Sequence, residues 1–125
     1  TVNPLTPASS YKQAIMGDNI VYNYLGGVST QWLISFSPAA VSQGNNFING
    51  VSFDLTTTSR VANQQVLISM IHTTSTGISS RISQDRAITN RSWQGNYQEL
   101  IVYPTDQTTN LTAIDSNINT HYSIY

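Results

Sequence analysis

The chain has 125 residues, a formal net charge of −1 and no cysteine. That length suits one domain around a single core. The charge excludes a basic field for nucleic acid or anionic membrane, and the lack of cysteine excludes a disulfide framework and a zinc-thiolate site. Charged residues make up only 9%, against about a quarter in an average globular domain. Sixteen Ser, fifteen Thr, twelve Asn and nine Gln take their place. The surface is therefore polar but neutral, a composition suited to virion exteriors, adhesins and secreted lectins. Val, Ile, Leu, Phe, Tyr and Trp are spread throughout, which separates the chain from disordered sequences.

The first residues, "TVNPLTPASS", have neither the basic start nor the apolar run of a signal peptide. Residues 1–10 read as a Pro- and Ser-containing linker, as if cut from a longer chain, ahead of a single β domain over 11–125. A short helical turn is expected at "SYKQAIMG" (10–17), with Ser10 as N-cap and Gly17 after its end. "NIVYNYLGG" (19–27) reads as a strand broken by Gly-Gly. "TQWLISFSP" (30–38) alternates, with Trp32, Ile34 and Phe36 on one face, and Pro38 ends it. "NNFINGVSFDLTTT" (45–58) places Val51, Phe53 and Leu55 opposite Ser52, Asp54 and Thr56, with Asn49-Gly50 as a turn or bulge signal. "NQQVLISMIHTT" (63–74) fits a strand better than a helix, because of its β-branched content. "YQELIVYP" (97–104) predicts a strand stopped by Pro104, apolar on both faces and therefore buried. "HYSIY" (121–125) alternates to the end. Turn signals about every ten residues give the rhythm of an all-β antiparallel sandwich or jelly roll, with at most one short helix. The expected core includes Trp32, Ile34, Phe36, Val51, Phe53, Leu55, Ile68, Leu100 and Val102.

The residues carry little chemistry of the catalytic kind. The two histidines, His72 and His121, read as structural or surface residues. There is no Gly-x-Ser-x-Gly elbow, and the six acids are scattered rather than paired. No phosphate-cradling glycine loop, His-x-x-x-His pair or EF-hand loop occurs. The expectation is binding without catalysis and without a cofactor. A calcium ion held by Asp106, Asp115 and loop carbonyls is the one metal left open. Asn90-Arg91-Ser92 and Asn110-Leu111-Thr112 fit the glycosylation pattern, as chance alone would provide in a chain this rich in Asn, Ser and Thr.

The stretch "ITNRSWQGNYQELIVYP" (88–104) combines Arg, Trp, Tyr, Asn and Glu within a few positions. Aromatic faces stack on sugar rings, and Arg, Asn and Glu bond hydroxyls. The charged cluster just before, "SQDRAITNRSW" (83–93), reads either as a solvated loop or as an exposed recognition loop on a β scaffold. Structure claims 97–104, and recognition claims the loop-like residues before it. The candidate receptor-binding residues are Arg91, Trp93 and Asn96, since Trp and Arg are the types most enriched at binding hot spots.

A Thr- and Asn-rich, cysteine-free β domain behind a Pro-containing linker, ending on "DSNINTHYSIY", resembles the C-terminal protruding domain of a nodavirus capsid protein, in particular the prawn nodavirus group. The resemblance covers the whole chain through its overall pattern and rests on no diagnostic short motif. It implies a β sandwich that pairs across two-fold axes into spikes on the virion surface and meets a host-cell receptor, a glycan among the candidates. It also implies that RNA contacts belong to an upstream basic arm, with no nucleic-acid contact or membrane insertion by this domain. A free-standing lectin or carbohydrate-binding module is the alternative.

Overall fold

The computed structural model describes residues 2–4, 13–18, 24–26, 30–34, 37–61, 63–74, 79–89 and 91–125. Within them the chain forms short antiparallel strands and two helices. Strands β1 (Val2–Pro4) and β8 (Gly95–Tyr97) make a two-stranded ribbon, with Asn3 opposite Asn96. Strand β2 (Ala14–Gly17) lies between β3 (Tyr24–Leu25) and β7 (Arg81–Ile82). Strand β4 (Asn45–Ile48) lies between β5 (Val51–Ser52) and β6 (Ile68–Ile71). A single helical turn, α1 (Ala39–Ser42), precedes β4, and α2 (Leu111–Tyr122) follows the last strand.

The best-read turn is Asn49-Gly50. Both residues have positive φ, 52° and 74°, as a two-residue hairpin of the primed type requires. It closes β4 onto β5 with Ile48 opposite Val51. Asn49 also brackets Leu67: its amide donates to the Leu67 carbonyl and its Oδ1 accepts from the Leu67 N–H, both at 2.9 Å. Strand β6 falls inside the expected 63–74 strand, paired to β4 from Asn45–Ile71 to Ile48–Ile68.

Several expectations are corrected. Residues 14–17 are a strand, not a helical turn, because Ala14–Gly17 pairs on both edges. Residues 10–12 of that segment lie outside the described residues. Val2–Pro4, read as linker, pairs with β8 and so belongs to the folded unit. Among the described residues, 30–34 join no ladder, and Gln31 forms an isolated bridge to Ser59. The alternation of Trp32, Leu33 and Ile34 therefore fails, and all three are buried. Phe36 lies outside the described residues.

Beyond β5 the chain leaves the sheet. Asp54 Oδ1 accepts from the amide and hydroxyl of Thr56, at 2.8 and 2.6 Å, and its carbonyl accepts from the Thr58 amide at 2.9 Å. This tight turn points Leu55 inward, while Val51 and Phe53 on the edge stay exposed. Ile68 is only half-buried. Leu100 and Val102, expected inside, are on the surface, and among the described residues 98–104 pairs with no strand. The terminal "HYSIY" contains the end of a helix, so the described residues include two helices rather than one.

The helix has a sequence basis. Leu111, Ile114, Asp115, Ile118, Asn119 and Tyr122 recur at helical spacing and form its covered stripe, with the intervening residues exposed. Asp106, whose Oδ1 accepts from Thr108, turns the chain into it. Ser123, left-handed at φ 52°, ends it, and Asn119 Oδ1 accepts from the Ile124 and Tyr125 amides. The Ser69 hydroxyl of β6 donates to Asp115 Oδ1 at 2.7 Å and ties the helix to the β5-β4-β6 sheet.

The core joins both three-stranded sheets. Ile15 and Tyr24 from one meet Trp32, Leu33, Val41, Leu55, Val66 and Trp93, and Ile48, Ile68 and Met70 from the other pack against this cluster.

Candidate functional site

The charged cluster of 83–93 is a structural node. Asp85 is fully buried. Its carboxylate accepts from Arg86 Nε at 2.8 Å and Nη2 at 3.2 Å, and from Arg91 Nη1 at 2.6 Å. Burial alone would raise the Asp85 pKa, but the two guanidinium partners outweigh it and hold the carboxyl below its ordinary value. The loop closes on an Ile88 amide to Asp85 carbonyl bond of 3.0 Å.

Trp93 is buried, 6% exposed, with its ring stacked on Trp32 at 6.1 Å and 17°. The Tyr97 ring meets it tilted, at 6.2 Å and 52°, and the Arg60 guanidinium sits 5.8 Å over its ring. Arg60 is itself buried, donating from Nε to the Thr30 carbonyl at 3.1 Å and from Nη1 to Gln13 Oε1 at 3.3 Å. Burial pushes its pKa down. The Tyr97 hydroxyl donates to the Ile15 carbonyl at 2.7 Å, and burial pushes the phenol well up. Among the described residues Trp93 Nε1 has no hydrogen-bond partner.

The three sequence candidates are thus not one exposed loop. Trp93 is a core residue, because a ring flanked by Trp32, Tyr97 and Arg60 is already covered. Arg91 is engaged by Asp85 with about a quarter of its side chain exposed. Asn96 is exposed, on strand β8 rather than in a loop. His72 accepts or donates a hydrogen bond with the Tyr24 hydroxyl; burial lowers the His72 pKa and raises that of Tyr24 to about 12. Tyr24 is buried and His72 is half-buried.

A different surface gathers binding chemistry. Glu99 and the outer side of α2 line a groove of about 540 Å³ with Asn117, Ile118, Thr120, His121 and Tyr122. It is a shallow depression open to solvent rather than an enclosed cavity. Asn117, Thr120 and His121 stand at helical spacings of three and four, so they project on one face. The His121 and Tyr122 rings meet edge-on at 4.6 Å. The groove offers a carboxylate, an amide, a hydroxyl and two rings, and no permanent positive charge. Such a set bonds neutral hydroxyl-bearing ligands and contacts their C–H faces. Reading 121–125 as a strand hid this helix; the apolar spacing of Leu111, Ile114, Ile118 and Tyr122 was the signal for it.

Among the described residues no group of three or more His, Cys, Asp or Glu stands close enough to hold a metal ion. Asp106 is exposed in its turn and Asp115 is bonded to Ser69. Among the described residues, no helix is long and apolar enough to cross a membrane. A scan against protein-family models finds no match, and neither the curated proteins nor the solved structures give one.

Proposed function

We propose that this chain is the protruding, spike-type domain of a viral capsid protein, paired with a second copy and other capsid subunits on the virion surface, and that it attaches to host cells through a glycan. The carrying observation is the polar groove of Glu99, Asn117, Thr120, His121 and Tyr122 on a surface of almost no net charge. A saccharide is neutral and rich in hydroxyls, so that surface neither repels it nor needs a compensating ion. Asn96, exposed on β8, is a further contact in this reading, and Arg91 serves mainly to hold the 85–91 loop. RNA contacts and membrane insertion lie outside this domain's role.

The finer architecture belongs to the same proposal. Ile15 and Tyr24 of one sheet and Ile48, Ile68 and Met70 of the other pack around one cluster, which supports a β-sandwich arrangement. The free-standing lectin reading shares the groove; it is separated by finding the protein secreted alone rather than in particles.

The test measures binding of assembled particles to host cells, before and after enzymatic removal of cell-surface glycans. Particles carrying Glu99→Gln with Asn117→Ala should lose at least tenfold in binding, with the domain's thermal midpoint unchanged. Full binding to deglycosylated cells, or full binding by the double variant, sinks the glycan reading.

A further inference from the structure

Asn49-Gly50 is the only Asn-Gly pair in the chain, and the fold leaves its reacting atoms free. An asparagine Cγ can be attacked by the amide nitrogen of the next residue, because the two close a five-membered ring. A side chain on that next residue obstructs the approach, and glycine has none. Gly50 is exposed at the turn, and its N–H has no hydrogen-bond partner among the described residues. Asn49 Nδ2, the group that must leave, has none among them either. Asn49 Oδ1, in contrast, accepts from the Leu67 N–H at 2.9 Å. That donor is aimed at the oxygen on which negative charge develops when Cγ is attacked, the arrangement of an oxyanion hole. The same bond anchors the side chain, so the Gly50 amide has to swing towards it. Without a Cβ, Gly50 has the backbone freedom to do so. Asn46 and Asn119 show the contrast. Asn46 is buried with its Nδ2 bonded to the Val41 carbonyl, Asn119 is bonded through both side-chain polar atoms, and neither precedes a glycine.

We propose that Asn49 is a site of spontaneous covalent modification, converting in water to aspartate and isoaspartate. The Gly50 nitrogen loses its proton to solvent base and bonds to Asn49 Cγ. The Cγ–Nδ2 bond breaks and ammonia leaves, which gives a cyclic imide. Water then opens the imide. Cleavage between the nitrogen and Cγ yields aspartate at position 49. Cleavage between the nitrogen and the main-chain carbonyl carbon yields isoaspartate, with the main chain running through Cγ. The net change is one water taken up and one ammonia released, with no oxidation or reduction.

The isoaspartyl product carries the larger structural effect. It adds a methylene to the main chain inside a two-residue turn, where positive φ at both positions sets Ile48 opposite Val51. The Asn49 amide also donates to the Leu67 carbonyl at 2.9 Å, so lengthening the chain there disturbs the entry to β6 as well as the pairing of β5. Aspartate leaves the main chain unchanged and keeps an acceptor for the Leu67 N–H. Either product adds one negative charge to a chain of net charge −1. The hairpin thus carries a one-way record of the protein's age.

The experiment incubates the folded chain at mildly alkaline pH and maps the products by peptide mass spectrometry, with methyl transfer by an isoaspartyl methyltransferase as the probe for isoaspartate. Asn49 should convert at least tenfold faster than any other asparagine, with ammonia released in equal amount. Asn49→Gln, whose side chain would have to close a six-membered ring, should remove both the early ammonia and the methyl-accepting product. The isoaspartate fraction should unfold at a lower midpoint than fresh protein, whereas fresh Asn49→Asp should stay close to it. Persistence of Asn49 in the folded chain overturns the proposal, and conversion in denaturant alone would identify the hairpin as what holds the amide away from Cγ. Conversion led by another asparagine overturns it equally. An isoaspartate fraction with an unchanged midpoint overturns the structural effect assigned to the turn.

Discussion

Trp32 and Trp93 stack at 6.1 Å with 17° between their planes, although 61 positions separate them in sequence. Arg60 sits over one face of this pair and Tyr97 against its side. The pair brings residues 30–34 and 93–97 together at the centre of the core, and it takes Trp93 out of any recognition surface. Trp93→Ala should lower stability by about 3–5 kcal/mol, the range for emptying a large aromatic site. Thermal or denaturant unfolding checks it; a midpoint equal to that of the unaltered protein would mean the ring is not packed here.

Leu55 and Phe53 should behave oppositely to what period-two alternation alone suggests. Leu55 is 1% exposed and Phe53 is 42% exposed. Leu55→Ala should cost about 2–5 kcal/mol. Phe53→Ala should cost less than about 1.5 kcal/mol, since much of its ring is already in water. Equal losses in the two variants would restore the face assignment read from the sequence.

Gly44 admits no side chain. A Cβ there would stand 2.2 Å from the Ile71 carbonyl oxygen, which is held in the β4-β6 ladder. Gly44→Ala should therefore cost about 1–3 kcal/mol by forcing backbone apart. Proteolytic susceptibility and the denaturation midpoint both report it, and an unchanged midpoint would show that β4 and β6 are not so closely apposed.

Asp85 links stability to acid pH. Its folded pKa is held low by Arg86 and Arg91 against the effect of burial, so the unfolded state binds the proton more tightly. The stabilisation is complete above the ordinary carboxylate pKa and is lost as pH falls through the depressed folded value. Asp85→Asn should remove this dependence and cost roughly 2–4 kcal/mol at neutral pH, since one buried partner of two part-exposed cations is gone. Unfolding midpoints from pH 7 to pH 2 provide the check; unchanged acid sensitivity in the variant would count against the assignment.

Asp115 should act with the opposite sign. Burial raises its pKa, and the Ser69 hydroxyl only partly offsets this. The folded state then binds the proton more tightly, so ionisation of Asp115 weakens the fold as pH rises from the ordinary carboxylate pKa to the raised folded one. Asp115→Asn keeps an acceptor for Ser69 and should flatten that part of the profile without undocking α2. Helix amide exchange measured at pH 4 and pH 7 decides it: a variant helix that exchanges faster at both would show that the carboxylate itself holds the helix.

The sequence by itself determined the neutral polar surface, the mostly-β character and the turn signal at Asn49-Gly50, because composition and a turn demanding positive φ are local properties. It also carried the periodicity of α2, in Leu111, Ile114, Ile118 and Tyr122, where short alternation at 121–125 pointed to a strand instead. Only the tertiary structure decided which apolar residues are inside. Val51, Phe53, Leu100 and Val102 have the same pattern as buried strand residues, but burial depends on whether a second layer covers them, and that is set by distant segments. Trp93 shows the converse: a residue type and setting suited to recognition, buried because Trp32, 61 positions away, occupies its face. The groove of Glu99 with Asn117, Thr120 and His121 could not be read locally for the same reason, since a helix face and an extended segment become one surface only when the chain folds them together.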